Sequence, residues 1–241
     1  MKVGIICEFS GTVRDAFITH GHDAVSCDLL PTEAPGPHIQ GDCRQQDWRG
    51  FDLLICHPDC TFLTVANTYI KRGCSKYTAE QAVVLRQDAV DFFMWMTNLP
   101  SRMLAIENPI GIMSRLYRKP DQIIQPHQFG HPESKATCLW LRNLPPLAHT
   151  NVLHRPAWVQ CECCDDFLCT IHVGKHVADC DCKDIDHWAK RGISPYDDGG
   201  RWDNQTPSGQ NKLGPSEKRW QARAKTYSGI AAAMASQWGS L

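Results

Sequence analysis

Apolar runs of strand length recur along the first 150 residues of the chain, with turn residues between them. KVGIIC lies near the N-terminus, DAVSCDLL ends its strand at Asp28, and HIQGD ends at Asp42. FDLLIC is continuously apolar, which is typical of a strand buried on both faces. RMLAIEN predicts a fifth strand stopped by Pro109, and ATCLWLRNLPPL is a candidate for a later one.

Amphipathic stretches lie between these runs. EFSGTV leads into a predicted helix whose inward-facing residues include Phe17 and Ile18. Thr78 and Gln81 fit a capping box for a long helix that runs to about Asn98, and SGIAAAMASQW predicts an apolar helix near the C-terminus. Strands that alternate with helices predict an α/β fold with a parallel, doubly wound, Rossmann-like sheet.

Ligands of such a sheet bind outside the carboxyl ends of its strands, so the residues that follow each strand are the candidates for a ligand site. They are Glu8 to Gly11, Asp28, Asp42, Pro58 to Cys60, and Glu107 with Asn108. A carboxylate at Asp28 can accept both hydroxyl protons of a ribose, and Asp42 or its backbone can read an adenine edge. These features predict an adenosine-containing cofactor, although strand-end aspartates also serve as caps and Gly11 as a tight turn.

Cys60 follows Pro58 directly after the fourth strand, and Glu107 ends the neighbouring strand in AIENP. A thiolate facing a carboxylic acid across a pocket suits covalent attack on an electron-poor ring, because the acid can protonate a ring nitrogen while sulfur adds. His57 is placed to lower the pKa of the thiol or to hydrogen-bond at the strand end. The alternative is a buried structural cysteine.

Composition narrows the class of protein. The chain has 241 residues and a net charge of -1, so we expect one main domain and at most a local basic surface for a nucleic acid. No apolar run is long enough to span a bilayer, and no cleavable signal pattern precedes KVGIIC. We therefore expect a cytoplasmic protein with no membrane partner; the oligomeric state stays open.

A Cys/His-rich segment, CECCDDFLCTIHVGKHVADCDC, has the strongest local signal in the chain. Its eight candidate metal ligands are Cys161, Cys163, Cys164, Cys169, His172, His176, Cys180 and Cys182. Thiolate and imidazole sets of this kind bind zinc, and metal binding can fold a segment too short for a hydrophobic core. The set could hold one or two ions; reduced unliganded thiols and an iron-sulfur cluster are weaker alternatives.

Five short motifs follow one another along the chain. They are FSG, an acidic residue after the second strand, GD before the fourth strand, a Pro-x-Cys turn and ENP. In this order and spacing the chain resembles the DNA cytosine-5 methyltransferases, and in particular short phage-encoded proteins of that kind. The resemblance covers residues 1–145 and extends to KTYSGIAAAM, which is similar to the family's last motif. It implies a class I methyltransferase sheet, S-adenosylmethionine as cofactor and, for a phage protein, the host cytoplasm.

The resemblance also implies roles for individual residues. Those that would surround S-adenosylmethionine are Phe9, Ser10, Gly11, Asp28, Asp42 and Pro58. Cys60 would attack carbon 6 of a cytosine flipped out of double-stranded DNA, Glu107 would bond ring nitrogen 3 and the exocyclic amine, and Asn108 would hold the loop. Lys135 or Arg142 would supply a cationic contact to the base.

Three departures from the family pattern stand out. Asp59 interrupts the usual Pro-Pro-Cys, Val13 and Arg14 replace a glycine pair, and no Gln-x-Arg-x-Arg motif is found. The metal module occupies the interval of the family's target-recognition region. We expect DNA contacts from the basic loop after Cys60, with Lys71, Arg72 and Lys76, and Trp202 as a stacking residue.

Together these observations predict a catalytic and cofactor-binding domain over 1–150, a zinc-binding insertion over 151–192, a flexible loop over 193–215 and a returning helix over 216–241. The predicted activity is transfer of a methyl group to the 5-position of cytosine in DNA. One rival is an enzyme of the same fold that modifies RNA or a free nucleotide. Another is a catalytically inactive protein that binds nucleic acid or cofactor.

Overall fold

The computed structural model describes residues 1–64, 76–153, 202–205, 211–214, 216 and 219–241, and the backbone of two short strands at 158–160 and 167–169. The strands are β1 (Lys2–Ile6), β2 (Asp23–Asp28), β3 (His38–Gln40), β4 (Leu53–Cys56), β5 (Met103–Pro109), β6 (Gln122–Ile124), β7 (Thr137–Arg142), β8 (Trp158–Gln160) and β9 (Phe167–Cys169). The α-helices are α1 (Thr12–Thr19), α2 (Ala79–Thr97), α3 (Met113–Leu116), α4 (Arg219–Ala224) and α5 (Ser228–Trp238). Short 3₁₀ helices lie at Cys43–Gln45 and Pro126–Gln128.

Seven strands form one sheet in the order β3-β2-β1-β4-β5-β7-β6, and β8 and β9 pair separately. Strands β1 to β5 are parallel, which confirms the α/β prediction for this part of the chain. The expectation of a wholly parallel sheet is wrong, because β7 runs antiparallel to both β5 and β6. The order reverses at β1, between β2 and β4, so the crevice for a ligand lies at the carboxyl ends of these strands.

Helices cover both faces of the sheet. On one face α1 and α5 pack over β1 and β4, where Phe17 and Trp238 are fully buried. The opposite face is covered by α2, whose Phe93 and Met96 are fully buried with Trp140 of β7. Burial on both faces explains why the central strands are continuously apolar.

Helix ends and faces follow the sequence with two exceptions, of which the first is the predicted helix over 216–241: two helices, α4 and α5, lie there, separated by residues 225–227. Thr78 and Gln81 form the predicted capping box at the start of α2, which ends at Thr97. The expectation that Ile18 faces inward is wrong, since its side chain is 40% exposed, whereas Arg14 of the same helix is fully buried. Arg14 is buried because its guanidinium donates hydrogen bonds to the loop after β2.

None of the described helices is both long and apolar enough to cross a membrane.

Candidate active site

In the turn after β1, the side-chain carboxylate of Glu8 accepts hydrogen bonds from the first backbone amides of α1. Glu8 is 5% exposed, its Oε1 accepts from the Val13 amide at 2.6 Å, and its Oε2 accepts from the Arg14 amide at 3.2 Å. A helix N-terminus attracts anions through these amides and through the helix dipole. Because Glu8 already occupies the position, a ligand phosphate would meet a negative charge here.

Arg14 explains why the glycine pair of the resembling family is absent. Its guanidinium donates to the Ala34 and Pro35 carbonyls at 3.0 and 3.2 Å and to Ser26 Oγ at 3.3 Å. Gly11 has a φ of 77°, and a Cβ there would lie 2.4 Å from Arg14 Nη2. Arg14 therefore fills the space beneath the turn and fixes the loop that follows β2.

The turn after β4 is tied to the end of β5. Asn108 Nδ2 donates to the Pro58 carbonyl at 2.9 Å, and the Ile112 amide donates to the Leu63 carbonyl at 2.8 Å. A Cβ at Gly111 would lie 2.3 Å from that same Leu63 oxygen, so only glycine permits this approach. These contacts set the position of Cys60 relative to β5.

His57 and Glu107 form a buried ion pair at the carboxyl ends of β4 and β5. His57 Nδ1 lies 3.0 Å from Glu107 Oε2, and the side chains are 10% and 12% exposed. Burial alone would raise the pKa of Glu107, but the hydrogen bond and charge of His57, with the charge of Lys135, lower it to about 2. Burial likewise opposes the charged form of His57, yet its bond to Glu107 raises its pKa overall. The sequence alone did not predict this pairing.

Cys60 is partly exposed, unlike Cys56 in the preceding strand, which is fully buried. Burial and the charge of Asp59 raise the pKa of the thiol, against the lowering effect of Lys135 and Arg223. The negative charge of Glu107 also raises that pKa, as the smallest of these effects. No hydrogen bond joins Cys60 to His57 among the described side chains, so His57 is engaged by the carboxylate and not by the thiol.

A strap, defined here as Arg223 to Tyr227, crosses these groups. Thr226 Oγ1 donates to Glu107 Oε2 at 3.4 Å, and Tyr227 Oη donates to Glu133. Lys135 Nζ donates to the carbonyls of Arg223 at 2.9 Å and Lys225 at 3.4 Å. The strap thus contacts both the candidate acid and the connection between β6 and β7.

The strap closes one side of a cleft with a volume of about 210 Å³, including space open to solvent. Its lining residues are Cys7, Glu8, Phe9, Ser10, His57, Ala224, Lys225 and Thr226. Most of that space is open to solvent and little of it is enclosed, so a nucleoside-sized ligand needs the strap to shift outward. One cavity thus brings together His57 and two of the predicted cofactor residues, Phe9 and Ser10.

The two aspartates of the predicted cofactor site are not among the residues that line this cleft. Asp28 Oδ1 accepts from the Leu30 amide at 2.9 Å, and burial raises the pKa of its carboxyl. Asp42 caps the 3₁₀ helix Cys43–Gln45, and both its oxygens accept from the Arg44 guanidinium. Asp28 still lies at the carboxyl edge beside β1, whereas Asp42 is engaged in a surface ion pair.

Two residues suggested for contacts with nucleic acid have structural roles instead. Arg142 lies at the opposite edge of the sheet, where it donates to the carbonyls of Thr97, Leu99 and Ser101 beyond the end of α2. Trp202 is only 8% exposed and stacks on His127 at 4.4 Å, so its ring is not presented for a base. Both expectations are therefore wrong.

The other predicted nucleic-acid contacts divide between described and undescribed residues. Lys135 lies at the active edge but is bonded to the strap. Lys76 lies over the ring of Tyr77, with 5.2 Å from Nζ to the centroid, while Lys71 and Arg72 lie outside the described residues. The Cys/His-rich segment also lies outside them, apart from the backbone of Cys169 in β9. No metal-binding group occurs among the residues that the structure describes.

No family model and no curated protein matches the chain. Among solved structures, it is similar to an E. coli prophage-encoded protein described as a candidate DNA modification methyltransferase. Identity is 13% and the TM-score is 0.39, over 58% of this chain and 46% of the other. The chain therefore spans less than half the length of that structure, and so weak a likeness carries no argument about function.

Proposed function

We propose that this chain is a methyltransferase that uses S-adenosylmethionine to methylate the 5-position of cytosine in DNA through a covalent bond to Cys60. The observation that carries the proposal is the meeting of three loops at one sheet edge. These loops bring the turn at Glu8, the Cys60 loop and the Glu107-Asn108 strand end to the point where the strand order reverses. The seven-stranded sheet with a single antiparallel strand is also consistent with the class I methyltransferase fold that the resemblance implies.

The residues of the cleft suit this cofactor better than a dinucleotide. S-adenosylmethionine has no phosphate, and the carboxylate of Glu8 fills the helix N-terminus on which a dinucleotide would place its pyrophosphate. Phe9, Ser10 and His57 would hold the cofactor, with Asp28 at its ribose. When bound, the cofactor supplies an electrophilic methyl group.

Cys60 and Glu107 have different roles at the cytosine ring. In the proposed reaction Cys60 Sγ loses its proton to solvent and forms a bond to carbon 6, and the electrons of the 5,6 double bond move toward carbon 5. A proton from the His57–Glu107 pair goes to ring nitrogen 3, which receives the electron density displaced by the attack. The carboxylate of Glu107 accepts a hydrogen bond from the exocyclic amine.

Completion of the reaction restores the ring. Carbon 5 takes the methyl group, whose old bonding pair stays on the donor sulfur, and then loses its proton to solvent. The carbon–sulfur bond to Cys60 breaks as the 5,6 double bond forms again, and nitrogen 3 returns its proton to the buried pair. Burial and the charge of Asp59 raise the pKa of the Cys60 thiol, while the positive charges of Lys135 and Arg223 oppose this shift and so assist formation of the thiolate that attacks and leaves.

The direct experiment is transfer of a tritiated methyl group from S-adenosylmethionine to nucleic acid. Double-stranded DNA should be labelled in cytosine by the wild type, and Cys60→Ser should lose at least about 10³-fold in rate because the covalent route is closed. Labelling of RNA or a free cytosine nucleotide instead of DNA would favour the same-fold rival. Binding of the cofactor without labelling of any of the three would favour the inactive rival.

We further propose that the Cys/His-rich segment holds one or two zinc ions and supports recognition of DNA. The eight ligands named above support this part of the proposal through their chemistry and spacing alone.

A further inference from the structure

His57 has one ring nitrogen without a partner in the wall of the candidate cofactor cleft. Nδ1 is bonded to Glu107, but Nε2 is buried and has no hydrogen-bond partner among the residues that the structure describes. The side chain as a whole is nine-tenths buried and lines the cleft. A buried polar nitrogen that stays unpaired is costly, so its presence in a cavity wall points to a group that a ligand supplies.

The bond to Glu107 sets the hydrogen-bonding role of the free nitrogen. The Glu107 carboxylate only accepts, so Nδ1 carries the proton of that bond. Burial and the charge of Lys135 oppose the protonated ring, but the hydrogen bond and charge of Glu107, with the charge of Glu8, raise the pKa of His57 overall. In the charged pair Nε2 also bears a proton, so His57, a residue of the cleft wall, carries a cationic donor with no acceptor among the described residues.

The order of strands indicates which end of the cofactor reaches this donor. Asp28 ends β2 and His57 follows β4, with β1 between them. Neighbouring strands lie about 4.8 Å apart, so the two positions are separated by about 10 Å across the sheet edge. A cofactor whose ribose is held at Asp28 can therefore span to His57 with its amino-acid end.

The same part of the cleft has charges that complement an α-amino acid. Glu8 lines it with a carboxylate, which suits the ammonium group, and His57 lines it with a donor, which suits the carboxylate. We propose that His57 Nε2 donates a hydrogen bond to the carboxylate of S-adenosylmethionine and selects this cofactor over adenosyl compounds that lack the carboxylate. The inference rests on the proposed cofactor, but it does not depend on which base or nucleic acid is methylated.

Calorimetric titration at pH 6 with two ligands tests the contact. S-Adenosylmethionine and its decarboxylated form differ only in the carboxylate, so the ratio of their dissociation constants isolates that group. The wild type should bind the decarboxylated ligand at least about tenfold more weakly, as expected for a charge-assisted hydrogen bond. In His57→Ala the ratio should fall to about one, while affinity for the decarboxylated ligand stays within about twofold.

His38→Gln is the matched control. His38 is also a strand histidine near this edge, but both its nitrogens have partners, Ser26 Oγ at 2.8 Å and the Leu30 carbonyl at 3.0 Å. Its substitution should leave the ratio of the two ligands unchanged. Because His57→Ala leaves Glu107 unpaired and could impair folding, a second measurement uses the wild type with ¹⁵N-labelled histidine. The His57 Nε2 resonance should shift with S-adenosylmethionine and stay in place with the decarboxylated ligand.

Three results would overturn the inference. Equal affinity of the wild type for both ligands would reject the contact between His57 and the carboxylate and would leave the proposed function intact. Preference for the carboxylate that survives in His57→Ala would assign it to another residue. Failure of the wild type to bind either ligand would reject the cofactor itself and the inference with it.

Discussion

At the scale of single residues, the pairing of His57 with Glu107 changes the chemistry that the sequence suggests for each. HPDC reads as a histidine beside a thiol, but the histidine bonds a carboxylate fifty positions away. Such a contact depends on the pairing of β4 with β5, which places Cys56 beside Ile106. The sequence could locate both residues at strand ends, yet only the register brings their side chains together.

The pair predicts how stability depends on pH. Glu107 has a pKa of about 2 when folded against 4.5 ordinarily, so its contribution is present above pH 4.5 and lost as the pH falls toward 2. His57 has a raised pKa, so its contribution is present below its ordinary 6.5 and lost as the pH rises through the folded value. The contribution should therefore be greatest between pH 4.5 and 6.5.

Urea unfolding of the wild type and Glu107→Gln measures this contribution. We expect the variant to be less stable by about 3 kcal/mol at pH 5.5, because a buried imidazolium loses its partner, and by less at pH 3 and pH 9. Asp47→Asn removes the acid of an exposed pair with Arg49 and should change stability little at any of the three. A difference for Glu107→Gln that is constant with pH would contradict the ionised pair.

At the scale of elements, the loop after β4 and the strap depend on contacts that local patterns do not encode. The sequence correctly predicted β1 to β5, the capping box of α2 and the polar residues at strand ends, because apolar runs and turn residues determine these locally. It did not predict the direction of β7, since that depends on long-range pairing with β5 and β6. The inward face of α1 and the role of Trp202 were misjudged because the partners of Arg14 and Trp202 are distant in sequence.

Gly111 allows a test of how the Cys60 loop is positioned. Gly111→Ala would place a Cβ 2.3 Å from the Leu63 carbonyl, so the loop must move away from β5. We expect a loss of about 1 to 3 kcal/mol in the free energy of unfolding and a methyl-transfer rate reduced at least about tenfold. Gly214→Ala is the control, since a Cβ there meets nothing within 4 Å. Full activity in Gly111→Ala would show that the loop position is not critical.

The strap should control access to the cleft. Lys225 pairs with Glu33 through two half-exposed side chains, and the pair joins the strap to the loop after β2. In Lys225→Met we expect stopped-flow fluorescence to show S-adenosylhomocysteine leaving about two- to fivefold faster, because an exposed pair contributes less than about 1 kcal/mol. Arg49→Met breaks a surface pair with Asp47 and should leave the rate unchanged. Equal rates of S-adenosylhomocysteine release in both variants would show that the strap does not control release of the ligand.

At the scale of the whole molecule, a sheet with a candidate active site at one edge is joined to a segment whose folding is expected to depend on metal. Thiolates and imidazoles without a core of their own need a metal ion to order them. We predict one or two zinc ions per chain by elemental analysis of protein purified without added metal. Loss of zinc to a chelator should reduce affinity for DNA more than affinity for S-adenosylmethionine. Metal-free protein that binds DNA normally would contradict the proposed role of this segment.

The central claim is that Cys60 forms a covalent bond to cytosine at the edge of the sheet. Fluorine at carbon 5 prevents the last proton loss, so DNA that carries 5-fluorocytosine should trap the wild type, with cofactor present, as a complex that survives denaturation. Cys60→Ser should form no such complex, whereas Cys7→Ser, which alters a thiol in the wall of the candidate cofactor cleft, should trap normally. A complex formed equally by Cys60→Ser, or none formed by the wild type, would contradict the mechanism.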